Sequence, residues 1–204
     1  MEKISVFDML KIGIGPSSSH TLGPWRAAGL FALDLQSSGL LPRTARVCAH
    51  LYGSLALTGK GHGTDVAILM GLSGKDPVTV PVEEVQTLPA KVADTQILYL
   101  RGEHALAFHP AYDLVFHFSE SLPYHANGLR FEAWDALGAL LTSDTYYSTR
   151  SRSNTSISVA LGFRLRKANP ASTPKAKPPI CAQYATPSSA AACCKMPIPL
   201  STCI

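Results

Sequence analysis

From Thr21 the apolar residues Leu22, Trp25, Ala28, Gly29, Ala32 and Leu35 recur at helical spacing, with Arg26 and Asp34 off the stripe. That periodicity predicts an amphipathic helix, which Ser38-Gly39 ends and Pro42 keeps from resuming. The period then changes to two. Ala45, Val47, Ala49 and Leu51 point one way and Arg46, Cys48 and His50 the other, as in a half-buried strand. After a glycine-rich loop, Asp65 to Leu72 reads as a buried helix with Asp65 as its cap, and Pro81 to Lys91 as a second helix opened by P-V-E-E. Gln96 to Arg101 is a strand candidate. So is the run in which Tyr112, Leu114, Phe116 and Phe118 alternate with Asp113, His117 and Ser119. Asn127-Gly128 signals a turn into L-R-F-E-A-W, and Leu140 to Ser148 reads as a last strand. Ser5 to Lys11 makes a short helical turn before Gly13 and Gly15. Helices and strands are interspersed without strict alternation, which makes the class α+β, and no segment repeats at a fixed period.

Composition splits the chain. Its 204 residues, 46% hydrophobic and 16% charged, suffice for one core with an appendage. The net charge of +4 is an average over unlike parts: residues 1–148 carry fourteen acidic and ten basic side chains, and residues 149–204 carry eight basic and no acidic ones. Seven of the 15 prolines and four of the five cysteines also fall after residue 148. We therefore read 1–148 as the folded domain and 149–204 as a basic tail, expected to be disordered apart from the apolar run Ile157 to Phe163. The first residues lack the basic-then-apolar order of a secretory leader, and no uncharged apolar run is long enough to span a membrane. The expectation is a soluble, cytoplasmic protein with no membrane contact. The tail's charge alone does not make a dedicated nucleic-acid site, because no aromatic residues interleave it.

The chemistry concentrates in short motifs. In P-S-S-S-H-T, Ser17, Ser18, Ser19 and Thr21 place four hydroxyls where a helix begins. One can cap the helix; the others lie beside free backbone N–H groups and a dipole that favour an anion such as a carboxylate or phosphate. His20 adds a group that transfers protons near neutral pH. The plainer alternative is a capping serine in a polar loop with His20 on the surface. T-G-K-G-H-G-T-D brings Lys60 and His62 among glycines that allow close approach by a ligand. It is no P-loop, since Gly61 follows Lys60 where Ser or Thr is needed. L-P-Y-H-A-N-G sets His125 in a turn.

Taken in order, S-V-F-D-M-L-K-I-G-I-G-P-S-S-S-H-T-L-G-P, Y-G-S-L-A-L-T-G-K-G-H-G-T-D, L-P-Y-H-A-N-G and T-Y-Y-S resemble the N-terminal β domain of the iron–sulfur L-serine dehydratases. The resemblance covers residues 1–148. It implies an α+β fold akin to allosteric substrate-binding domains, with a mixed or antiparallel sheet and packed helices. It implies a lyase that converts L-serine to pyruvate and ammonia with the help of a [4Fe–4S] cluster. Carried over by motif, Ser17, Ser18, Ser19 and Thr21 hold the substrate carboxylate, and His20, His62 and His125 serve proton transfer or orientation. Lys60 and Ser148 are further substrate-binding positions.

After T-Y-Y-S the likeness stops, and the family's cluster-bearing cysteine segments have no counterpart. Cys193-Cys194, with Cys181 and Cys203, offer none of the C-x₂-C pairs on which cluster and zinc sites are built, so no metal ligand is assigned. The tail's bias points to a reading-frame change in a GC-rich gene. The resemblance thus implies a chain that is incomplete and inactive alone, completed by a separate cluster-bearing subunit or working in a homodimer. The alternative is a small-carboxylate, serine-binding regulatory module without catalysis.

Overall fold

The computed structural model describes residues 15–150 and 155–159, with side chains for 15–149. A π-helical turn, Ser18–Leu22, runs without a break into helix α1, Gly23–Ser37. Ser38 caps α1 at its C-terminal end, and Gly39 turns away in the left-handed region with φ 69°. Strand β1, Arg46–Tyr52, follows, then the short helix α2, Ser54–Thr58, a 3₁₀ turn at Lys60–His62, and α3, Thr64–Leu72. Asp65 does not cap α3. Gly63 takes that position with φ 66°, and the Asp65 carboxylate accepts from the Val66 N–H, one residue into the first turn.

Helix α4, Val82–Thr95, has Pro89 inside it and runs past the expected end at Lys91 to close at Gln96 in the left-handed region. Proline lacks the N–H for its own helical bond, and the helix persists by setting Leu88 and Val92 against the core. Strands β2, Ile97–Leu100, and β3, His104–Ala107, form a separate antiparallel pair. A single helical turn α5, Pro110–Asp113, leads into β4, Leu114–His117, followed by β5, Gly128–Trp134, β6, Leu140–Arg150, and β7, Thr155–Val159.

The main sheet has the order β4-β1-β5-β6-β7, with β1 and β4 parallel and every other pair antiparallel. The class is α+β with a mixed sheet, as expected. One face, carrying Val47, Ala49, Leu51, Leu129, Phe131, Ala133 and Tyr146, packs against α1 and α3 to make the core. Phe31 of α1 stacks on Phe131 with ring centres 5.2 Å apart, and Tyr146 meets Phe131 edge-on at 5.8 Å. The described residues belong to one compact unit, Met1–Arg166.

Two expectations change. The alternation from Tyr112 to Ser119 does not give one strand: only Leu114–His117 is extended, Tyr112 and Phe118 are exposed, and Asp113 is buried at 2% exposure. The Asp113 carboxylate binds the His109 N–H at 2.7 Å and Arg46 of β1 at 2.8 Å, bonds that turn the chain before the strand begins. The sheet also passes Ser148, where the composition breaks, since β6 runs on to Arg150 and pairs with Thr155–Val159. The Ser5 to Lys11 turn and the rest of the tail lie outside the described residues. Among those residues no helix is long and apolar enough to cross a membrane.

Candidate active site

The π turn starts at the serines, where the Ser17 hydroxyl satisfies a backbone N–H that a helix start leaves free. Ser17 Oγ accepts from the His20 N–H at 3.3 Å, and the Ser17 carbonyl takes the N–H groups of Thr21 and Leu22. This wound turn presents His20 sideways. Its Nδ1 lies 3.0 Å from Ser19 Oγ and its Nε2 3.0 Å from Ser54 Oγ at the start of α2. Two threonines fasten the turn to the glycine-rich loop. Thr21 Oγ1 donates to the His62 carbonyl at 2.8 Å, and buried Thr64 Oγ1 donates to the His20 carbonyl at 2.6 Å.

His20 and His62 are thereby brought face to face, with ring centres 5.1 Å apart and planes tilted by 51°. Burial, and then the neighbouring His62 ring, hold His20 below the ordinary imidazole pKa, against an opposing hydrogen bond from Ser54. His20 is therefore neutral at physiological pH. Among the described residues no hydrogen bond engages the ring nitrogens of half-buried His62, which leaves them available. One imidazole is fixed and the other is free.

Gly53 sets the position of Ser54. It has φ 54° and ψ −125°, and a Cβ there would lie 2.4 Å from the Ala126 carbonyl oxygen. That contact joins the third motif to the site, since the Ala126 carbonyl also accepts from the Ser54 N–H at 2.9 Å. His125 therefore sits in the loop that abuts Ser54, but its Nδ1 accepts from the Asn127 N–H at 3.0 Å. Among the described residues it contacts neither His20 nor His62. Asn127 bridges to the last motif, its Nδ2 donating to the Ser148 carbonyl at 3.2 Å and its carbonyl accepting from the Ser148 N–H at 3.0 Å.

Ser148 is buried at 1% exposure, and among the described residues its hydroxyl has no partner. It packs on Gly23 at the start of α1 so closely that any Cβ at that position would overlap Oγ. Exposed Lys60 lies with Nζ 5.3 Å above the Phe116 ring. Ser18 is exposed, and its carbonyl takes the Gly23 N–H.

Four residues escaped the sequence reading. Ser54 stood inside Y-G-S-L and Thr64 inside G-H-G-T-D, but neither had a reason to be singled out before the fold placed them on His20. His50 and His117 were read as ordinary strand residues, yet His50 Nδ1 and His117 Nε2 lie 3.1 Å apart on β1 and β4. Two clefts lie away from this cluster. One of about 170 Å³ is lined by Lys75, Leu88, Lys91 and Tyr99, and one of about 330 Å³ by Trp25, Arg26, Leu33 and Arg101.

The chain is similar to known proteins over most of its length. Residues 5–151 match the model of the family described as serine dehydratase beta chain. The L-serine dehydratase of Streptomyces coelicolor is 50% identical over 145 residues, which is 71% of this chain and 32% of that protein. L-serine dehydratase TdcG and L-serine dehydratase 1 of Escherichia coli are 49% and 45% identical over 146 residues, again 71% of this chain and 32% of each relative. The chain thus spans about a third of the length of the curated relatives it matches.

Proposed function

The chain belongs to the serine dehydratase β-chain family, and from that premise we propose that its His20–His62 surface forms one wall of the site where L-serine loses water. The observation that carries the reading is the convergence of two motifs, distant in sequence, on one paired-histidine surface next to a hydroxyl-rich helix start. The carboxylate of serine fits the hydroxyls of Ser17, Ser18 and Ser19 at the positive end of α1, with the Ser148 hydroxyl, unpartnered among the described residues, behind them. Thr21, expected to join them, is buried and gives its one O–H to the His62 carbonyl, so it fastens the turn instead. Elimination requires removal of the α-proton and departure of the β-hydroxyl. His62, with free ring nitrogens, takes the proton; neutral His20, held by Ser19 and Ser54, orients the substrate beside it. The resulting 2-aminoacrylate tautomerises to an imine, and water hydrolyses the imine to pyruvate and ammonia. His125 and Lys60 act as outer positions, His125 through the loop that supports Ser54.

In the family this chain resembles, a [4Fe–4S] cluster supplies the Lewis acid that helps hydroxide leave. The described residues do not fit that cluster. Cys48, the one cysteine among them, is buried with its thiol against Asp113 at 3.7 Å and pushed up to about 12 by burial, the reverse of a thiolate ligand. The thiolates would come from a separate cluster-bearing subunit. Neither cleft includes His20 or His62, which fits a surface completed by that partner.

A full-length relative tests the roles. Replacing the histidine aligned with His62 by Ala should lower kcat by ~10²–10⁴, the usual worth of a proton-transfer group; wild-type turnover would overturn the assignment. The relatives' span supports a second reading, in which the same surface binds serine as a regulatory module. Assaying this chain anaerobically with iron and sulfide tests the second reading. Pyruvate formation contradicts the module, whereas serine binding without turnover supports it or a wall awaiting its partner.

A further inference from the structure

A second histidine pair lies on the sheet face opposite the core, and the active-site reading does not use it. His50 Nδ1 of β1 faces His117 Nε2 of β4 at 3.1 Å, so one ring donates and the other accepts. Each outer nitrogen faces a carboxylate just beyond hydrogen-bond length: His50 Nε2 lies 3.6 Å from Glu132, and His117 Nδ1 lies 3.5 Å from Glu120. Tyr52 stacks parallel on the His117 ring at 4.4 Å and carries Arg130 over its own ring at 5.6 Å. The charged and titratable groups facing the pair are therefore Tyr52 on its own strand, Glu120 in the loop after β4, and Arg130 and Glu132 on β5. Cys48 lies one strand step away beside Arg46 and Asp113.

The two orientations of the shared proton are not equivalent. If His117 donates to His50, the buried His50 Nε2 carries its proton towards the enclosed Glu132 carboxylate, and the bare His117 Nδ1 is left beside the exposed Glu120, within reach of water. The reverse orientation strands a bare nitrogen against Glu132 with no donor. A first proton from solvent then enters at His117 Nδ1 and leaves the inner bond intact. A second would put two N–H groups nose to nose, and the pair must part.

The pair stands at the root of the turn that carries Ser54. Ser54 comes four residues after His50, and the Gly53 N–H is bound by the carbonyl of Glu120, three residues after His117. We propose that His50 and His117 form a proton-sharing dyad that locks the ends of β1 and β4 together and so positions the Ser54 hydroxyl on His20. Acid opens the dyad and frees His20 from Ser54. Its consequence for turnover rests on His20's place in the serine site, but the coupling is measured without turnover.

The test is an NMR pH titration of the histidine rings in the isotope-labelled full chain. In the wild type His50 and His117 should share two inflections, with the lower one also visible at the His20 ring. His117→Gln keeps a polar group near Nε2 and His50→Asn one near Nδ1, and neither titrates. In both, the step at His20 should vanish while its resonances at pH 8 stay in place. Independent single curves for His50 and His117, or a His20 curve identical in wild type and variants, would overturn the proposal; the wild-type curves alone decide it if a variant does not fold. Loss of serine binding with the coupling intact would sink only the functional reading.

Discussion

Ser148 shows how stability and function separate at a single side chain. Among the described residues its buried hydroxyl has no partner, so Ser148→Ala removes an unsatisfied group and should leave stability unchanged or raise it by about 1 kcal/mol. The same change should weaken serine binding if the hydroxyl faces the carboxylate. Urea unfolding and calorimetric titration read the two effects, and a lost fold would contradict this view of the site. The histidines make a pH prediction. His20 and His117 are held below the ordinary value of 6.5, so the unfolded chain takes up protons that the folded one refuses. Their contribution is complete above that value and is lost as pH falls from about 6.5 towards the folded values. Glu132, lowered chiefly by His50, adds a separate loss beneath 4.5. The urea midpoint should therefore fall in two stages on acidification, and a flat profile from pH 7.5 to 5.5 would refute it. His20 and its serines were legible as chemistry because they are contiguous. Ser54 and Thr64 were not, because their bonds to His20 span 34 and 44 residues and exist only after folding.

Elements were easiest to read where one period ruled. The stripe from Leu22 to Leu35 and the alternation from Ala45 to Leu51 became α1 and β1 within two residues at each end. The alternation from Tyr112 to Ser119 misled, since Asp113 spends its carboxylate on Arg46 and the His109 N–H, partners that local sequence does not reveal. Helix α4 keeps Pro89 inside it, as the expected span Pro81 to Lys91 implies, because tertiary packing of Leu88 and Val92 carries the helix past a residue that ordinarily stops one. The turn between β1 and α2 gives a sharp test. Gly53→Ala meets both a positive φ and the Ala126 carbonyl at 2.4 Å, and should destabilise the chain by about 1–3 kcal/mol. It should also move Ser54 off His20, seen as a change in the His20 ring shifts. A neutral effect on both would show that the turn does not position Ser54.

At the scale of the whole molecule, the charge and proline break at residue 148 marks where family likeness ends better than where the sheet ends, since β7 pairs with β6 beyond it. We place the folding unit within Met1–Arg166. A chain stopped after Arg166 should unfold cooperatively within about 0.5 kcal/mol of the full chain, the range for changes remote from a core; loss of the transition would place essential contacts further on. The fold class followed from patterning, and the family followed from motif order. What patterning could not supply was the pairing of histidines across strands and loops. The most direct measurement is a titration of the isotope-labelled chain with L-serine, followed by amide NMR. Saturable shifts gathered at Ser17–Thr21, Ser54, His62 and Ser148 are the expected result. Shifts confined to the cleft beside Lys75 and Tyr99, or none at tens of millimolar serine, would contradict a substrate surface at His20 and His62.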